Sequence, residues 1–106
     1  MPFIIRRLDA RRFDAAKMQK VGLFETERFF CDIYCLDPGQ AQKPHAHAGA
    51  DKVYAVLEGI VRVSVGADEE TLRAGDVVLA PSGVDHGLRN ESSERAAVLV
   101  FMAPRP

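Results

Sequence analysis

All three histidines of this chain stand at spacings that suit shared coordination chemistry. His45 and His47 are separated by one residue, and His86 follows about forty positions later. Gly39 precedes His45 with five residues between them, and Gly59 closes the strand-like run that follows. The second pattern reads Gly75, five residues, Pro81-Ser82-Gly83, two residues, His86, three residues and Asn90. Neutral imidazole is the commonest biological ligand for a first-row divalent metal, and three of them supply most of a site. If residues 43–47 form a strand, His45 and His47 share a face with Cα atoms ~6.6 Å apart. That separation lets two rings hold one ion. The competing reading is a pocket that keeps its histidines after losing the metal.

Short strands are the elements available to position these rings. Glycine and proline interrupt the chain at Gly22, Pro38-Gly39, Pro44, Gly49, Gly59, Gly66, Gly75, Pro81, Gly83 and Gly87. The apolar runs between them are too short for typical helices. The pattern predicts strands at 3–8, 18–24, 28–36, 43–47, 52–58, 60–65, 69–73, 77–81, 85–90 and 95–102. Val61, Val63 and Val65 alternate with Arg62 and Ser64, the period of a half-buried strand. Residues 96–102 are apolar throughout, so both faces of that strand are expected to be covered. Hairpins are expected at Leu57-Glu58-Gly59-Ile60 and at 65–69. Residues 9–17 are read as a helical turn with Asp9 as its cap and Phe13 packed inward. Many short, evenly spaced strands indicate an all-β sandwich or jelly-roll barrel, here one domain over 1–106.

Composition narrows the function classes. A chain of 106 residues can bury a core without disulfides, and 47% hydrophobic with 27% charged residues is ordinary for a globular protein. A net charge of −1 attracts neither nucleic acid nor an anionic membrane. Arg6, Arg7, Arg11, Arg12, Lys17 and Lys20 are interrupted by Asp9 and Asp14, and read as a solvated or subunit-contact surface. No segment reaches the ~18 apolar residues of a membrane span, and no secretory pattern opens the chain, so the expected location is the cytoplasm. Cys31 and Cys35, on one strand, would lie ~13 Å apart, too far for a disulfide. They are read as two buried thiols on one strand face. Neither a phosphate loop nor a nucleophile elbow is present, and Ser82, Asp85 and His86 are too close in sequence to align as a triad.

Together these residues resemble the cupin family, whose first motif is Gly, five residues, His-x-His, three or four residues, Glu, six residues, Gly. Gly39, His45, His47 and Gly59 match it. The stretch from Gly75 through Pro81, Gly83 and His86 to Asn90 matches the second motif at every defined position, with fifteen residues between Gly59 and Gly75. The resemblance implies a double-stranded β-helix, or jelly-roll, barrel. It also implies a divalent transition metal on His45, His47 and His86, with Asp51 as a candidate fourth ligand. Asp51 enters because the family glutamate is missing. Counting back six intervening residues from Gly59 reaches Lys52, whereas three intervening residues after His47 lead to Asp51. A one-residue slip in a strand reverses the face, so either Lys52 points inward and repels a cation, or a bulge turns Asp51 inward. Tyr54 and Val56 share the parity of Lys52 and are expected inside, Tyr54 as core or as a phenol in the pocket. Arg89 should face away from His86, and Asn90 should bind a turn.

The donor set suits iron, manganese, nickel, cobalt or zinc without choosing among them. Two functions follow from the resemblance. One is a metal-dependent enzyme of oxygenase or isomerase type acting on a small organic molecule. The other is a non-catalytic small-molecule-binding or sensing barrel with a vestigial metal site. A homodimer is expected, because Phe3, Ile4 and Ile5 with Phe24, Phe29 and Phe30 offer more apolar surface than one small barrel can bury.

Overall fold

Side-chain alternation on a pleated backbone decides this fold. The structure, a computed structural model, describes residues 3–105. Among them are nine strands: β1 (Gln19–Glu25), β2 (Phe30–Leu36), β3 (Ala41–His45), β4 (Asp51–Glu58), β5 (Ile60–Val65), β6 (Asp68–Arg73), β7 (Val77–Ala80), β8 (His86–Arg89) and β9 (Ala96–Ala103). They pair antiparallel in two sheets, ordered β1-β2-β9-β4-β7 and β3-β8-β5-β6. The inner faces meet in a core of Tyr34, Leu36, Tyr54, Val56, Val61, Val63, Leu88, Ala96, Val98 and Val100. Full burial of one such valine contributes about 1.5–3 kcal/mol. The expected all-β jelly roll is the architecture found.

The outer face of the larger sheet is partly covered as well. Leu23, Ile33, Cys35 and Ala97 form a second cluster there, and Ala10, Phe13 and Phe24 pack against it. Strand β9 is therefore buried on both faces over most of its length, as its unbroken apolar run implies, although Phe101 remains 39% exposed. Cys31 and Cys35 lie on this same outer face as free thiols.

Three local expectations are corrected. Residues 3–8 form no strand; Phe3, Ile4, Ile5 and Leu8 are exposed, and neither sheet includes them. Residues 9–17 form no helix, only isolated turns, and the capping carboxylate is Asp14, whose Oδ1 accepts from the Ala16 N–H at 2.8 Å, rather than Asp9. Phe13 does pack inward. The third correction concerns Leu57-Glu58-Gly59-Ile60, which is not a hairpin. Strand β4 belongs to one sheet and β5 to the other, so the chain crosses between sheets at Gly59. The hairpin at 65–69 is present, with Val65 opposite Asp68.

Gly59 makes the crossing sterically feasible. Its φ is +78°, and a Cβ there would lie 2.4 Å from the Arg95 carbonyl oxygen, inside the core edge. Gly59→Ala is expected to lose at least about 2 kcal/mol of stability, since both the backbone and its neighbour must shift. Urea unfolding of the variant measures this. A change below about 0.5 kcal/mol would mean the crossing adjusts freely.

Candidate metal centre

The three histidines are brought together by an irregularity in β3. Gln42 pairs with Leu88 and His45 with His86, three steps along β3 against two along β8. The extra residue is a bulge, and it sends both Gln42 and His45 to the inner face. Pro44 sits in it at no cost to the ladder, having no N–H to donate. The opposite strand must accept the bulged backbone at close range, and Gly87 does so. A Cβ on Gly87 would stand 2.8 Å from the Gln42 carbonyl oxygen and 2.9 Å from the Pro44 nitrogen. The expected strand 43–47 therefore ends at His45. His47 lies in the following loop, where its carbonyl accepts the Gly83 N–H at 3.0 Å. The turn of the second motif thus braces the second histidine of the first.

One ring nitrogen from each of His45, His47 and His86 falls within 4.8 Å of the others. Ring centroids are 4.7 Å apart for His45 and His47, 4.6 Å for His45 and His86, and 5.6 Å for His47 and His86. Backbone carbonyls set the tautomers. His45 Nδ1 lies 2.8 Å from the Lys43 oxygen, and His86 Nδ1 lies 3.0 Å from the Val84 oxygen. A carbonyl only accepts, so each Nδ1 donates and each Nε2 presents a lone pair. His86 Nε2 is buried and, among the described residues, has no hydrogen-bond partner. Burial lowers the pKa of His86 foremost; the Val84 carbonyl opposes this, and the Lys52 charge reinforces it. His47 is lowered by burial, then by His45 and Lys52. Both rings are thereby biased to the neutral form that ligates metal.

Asp51 is not among the clustered groups. It is exposed, and its Oδ1 accepts the Ser82 N–H at 2.9 Å, while Ser82 Oγ accepts the Gly49 N–H at 2.7 Å. Its role in the structure is to join the 47–51 loop to the turn before His86. No bulge intervenes at the start of β4, so parity holds and Lys52 faces the interior, only 2% exposed. Its Nζ donates to Gln42 Oε1 at 3.4 Å and lies 5.3 Å from the ring centroids of both Tyr34 and Tyr54. Burial, and Lys20 after it, push the ammonium down to about 8, with Asp32 opposing.

Gln42 and Tyr34 complete this interior, and neither was singled out from the sequence. Tyr54 donates to Gln42 Oε1 at 2.9 Å, and Gln42 Nε2 reaches the Tyr34 hydroxyl at 3.5 Å. Tyr54 is at once core and pocket wall, its ring centroid 6.1 Å from that of His86. Burial pushes Tyr34 up to about 12 and moves Tyr54 in the same direction. Parity from β8 would have found Leu88 and His86, but the bulge conceals that Gln42 and His45 share a face. Arg89 points outward to Glu69 and Glu91, both at 2.6 Å, and Asn90 holds the Leu36 and Glu94 carbonyls. A cleft of about 280 Å³ opens between β6 and β7, lined by Val63, Val65, Leu72, Val77 and Val78 with Asp68 and Glu70. Val65 is the strand neighbour of His86, so the cleft and the histidine cluster share a wall.

Comparison with known proteins agrees with this architecture. The family model described as a cupin domain matches residues 32–102. An uncharacterized protein of Streptomyces coelicolor is 36% identical over 74 residues, 68% of each chain. Among solved structures, TT1209 from Thermus thermophilus is 48% identical with a TM-score of 0.95, covering 98% of this chain and 100% of its own. KdgF from Halomonas sp. shares the fold at 22% identity and a TM-score of 0.82, over 100% of this chain and 96% of its own.

The buried ammonium has a thermodynamic signature. Unfolded, Lys52 keeps its proton up to pH about 10.5; folded, it releases it near 8. The unfolded state binds more protons across that window, so stability rises as pH climbs from about 8 to 10.5. Below it the desolvated charge lowers stability throughout. Lys52→Met is expected to stabilise the metal-free protein by about 1–4 kcal/mol at neutral pH and to abolish that rise. Urea titrations on both sides of the window measure it. An unchanged pH dependence would exclude Lys52 as its source.

Proposed function

The chain belongs to the cupin family, and on that premise we propose that it holds a divalent transition metal on His45, His47 and His86 and binds a small organic molecule beside it. One observation carries the reading: the buried, partnerless Nε2 of His86, facing two further imidazoles whose ligating atoms lie within 4.8 Å. A buried polar atom without a partner costs about 1–3 kcal/mol, which an ion would offset. The nitrogen-rich set suits iron, manganese, nickel, cobalt or zinc. When bound, such an ion supplies Lewis acidity or a centre for oxygen. The chain's own contribution is to fix two tautomers through the Lys43 and Val84 carbonyls and to wall the site with Tyr54. An enzyme of oxygenase or isomerase type is the catalytic form of this proposal. A second reading, a non-catalytic binding or sensing barrel, draws support from Lys52, whose inward ammonium stands where the family pattern has a carboxylate.

Protein purified without a histidine tag is expected to carry divalent metal that a chelator removes. His86→Ala should abolish retention. Lys52→Glu should raise affinity, by supplying a carboxylate and removing a cation. Metal content by elemental analysis decides; equal content in wild type and His86→Ala would end the metal assignment.

The proposal extends to a homodimer. Val77 and Leu79 on β7 are 67% and 55% exposed. With Val53 and Phe101, which neighbour each other and Leu79 across the ladder, they form an apolar stripe on the outer face of the larger sheet. Phe3, Ile4, Ile5 and Leu8 are a second exposed apolar set, suited to lie on that stripe in a partner copy. Phe24 and Phe30 do not contribute, because they pack within their own chain, and Phe29 stacks on Phe101 at 5.2 Å. Light scattering should report twice 11.7 kDa for the wild type and a monomer for Leu79→Asp. A wild-type monomer at micromolar concentration would overturn the dimer.

A further inference from the structure

We infer that the barrel interior is built to bind a small carboxylate anion, held between the histidine-bound metal and the Lys52 ammonium. The inference rests on the metal reading above and names the class of molecule that site takes. Its first support is the burial of Lys52, 2% exposed and without a carboxylate at salt-bridge distance among the described residues. A buried ammonium ordinarily requires an anion and good acceptors. Here its one protein acceptor is Gln42 Oε1, at 3.4 Å, and that oxygen already takes the shorter 2.9 Å bond from Tyr54. Two ring faces at 5.3 Å attract the cation but accept no directed hydrogen bond in place of a carboxylate.

Charge around the interior adds the second support. Lys20 Nζ also lies over the Tyr34 ring, 5.1 Å from its centroid, and is a second cation there. Asp32 is the carboxylate that both lysines act upon, and among the described residues it lies beyond salt-bridge distance of either. Lys52 and His86 flank the same ring, with Nζ 5.3 Å and the imidazole centroid 6.1 Å from the centroid of Tyr54. Three neutral imidazoles leave a bound divalent ion with its full charge, so ion, Lys52 and Lys20 together outweigh the single carboxylate of Asp32. A bound carboxylate answers ion and Lys52 alike, one oxygen toward the metal and one toward Nζ. Among the described residues the groups facing Nζ are Gln42 and two tyrosine rings, not the arginine fork or cluster of backbone N–H groups that phosphate recognition generally employs. A single ammonium between two tyrosine faces fits a small organic acid better.

The cobalt(II) form provides the test, with malonate as the anionic probe and malonamide as its neutral isostere. Visible absorption reports cobalt uptake and, separately, displacement at the ion by the probe. Wild type should bind malonate saturably and malonamide at least about tenfold more weakly. In Lys52→Met, which removes a buried charge and is expected to fold, cobalt should bind as tightly or more tightly. Malonate affinity should fall at least about tenfold. Lys52→Arg should recover part of it. General damage to the barrel would weaken cobalt and malonate together, and opposite movements exclude that explanation. Normal cobalt uptake with malonate affinity unchanged in Lys52→Met, or with malonamide bound as well as malonate, would overturn the anion site alone. Failure of the wild type to take up cobalt would overturn the metal reading and this inference with it.

Discussion

The close approach of two backbones at Gly87 is the constraint on which the site depends. Strand β3 gains one residue at Lys43-Pro44, and that bulge is tolerated only because β8 carries no side chain opposite it. The gain in geometry is specific. Without the extra residue His45 would share the outward face, and His86 would stand alone inside. With it, two imidazoles from different strands meet at 4.6 Å, and the loop that follows delivers a third. The same local chain paths present the Lys43 and Val84 carbonyls to the Nδ1 atoms, so ring position and tautomer are set together.

Polarity is distributed unevenly along the barrel. At one end Leu36, Val56, Val61 and Ala96 fill the space between the sheets with apolar surface. Toward the histidines the inward positions become Tyr34, Tyr54, Gln42, Lys52 and His86, a set that buries several polar groups at a cost. Tyr34 and Tyr54 still contribute apolar ring surface to the core, but the buried Lys52 and His86 groups and the half-buried Gln42 offset part of it. The fold is carried by the apolar end and by strand β9, covered on both faces by the two clusters. The arrangement is that of a scaffold whose stability and whose chemistry occupy different layers.

Loop contacts connect the two motifs more directly than the strands do. His47 accepts from Gly83, and Asp51 and Ser82 complete a small set of bonds between the same two loops. Asp51 is therefore of structural consequence to the site although it stands apart from the clustered imidazoles. The acid chosen by counting from His47 belongs to the loop, whereas the residue reached by counting from Gly59 belongs to the strand interior. The two counts describe different parts of the molecule.

Much of this was legible in the residues themselves, for reasons of period. Alternation in Val61, Val63 and Val65 identifies a half-buried strand, and the unbroken run at 96–102 identifies one covered twice, because side chains on a strand leave it on alternating sides. The three histidines and their glycine and proline frame announced a shared site. What alternation cannot register is an interruption of itself. The bulge at Lys43-Pro44 leaves no signature that distinguishes it from a regular strand ended by proline, so the residues alone do not show that Gln42 shares the inner face with His45. Likewise the Gly59 turn resembles a hairpin in sequence, since a tight turn has the same local chemistry whether the next strand pairs with the last or joins the opposite sheet. The choice between Asp51 and Lys52 was of this kind too. Residue types and spacing determined most of the strands, the histidine triad and the two candidates for the fourth position, but not the absence of a strand at 3–8. Only the packing of one sheet on the other decided which of them faces inward, because the inner face is defined by what lies across from it.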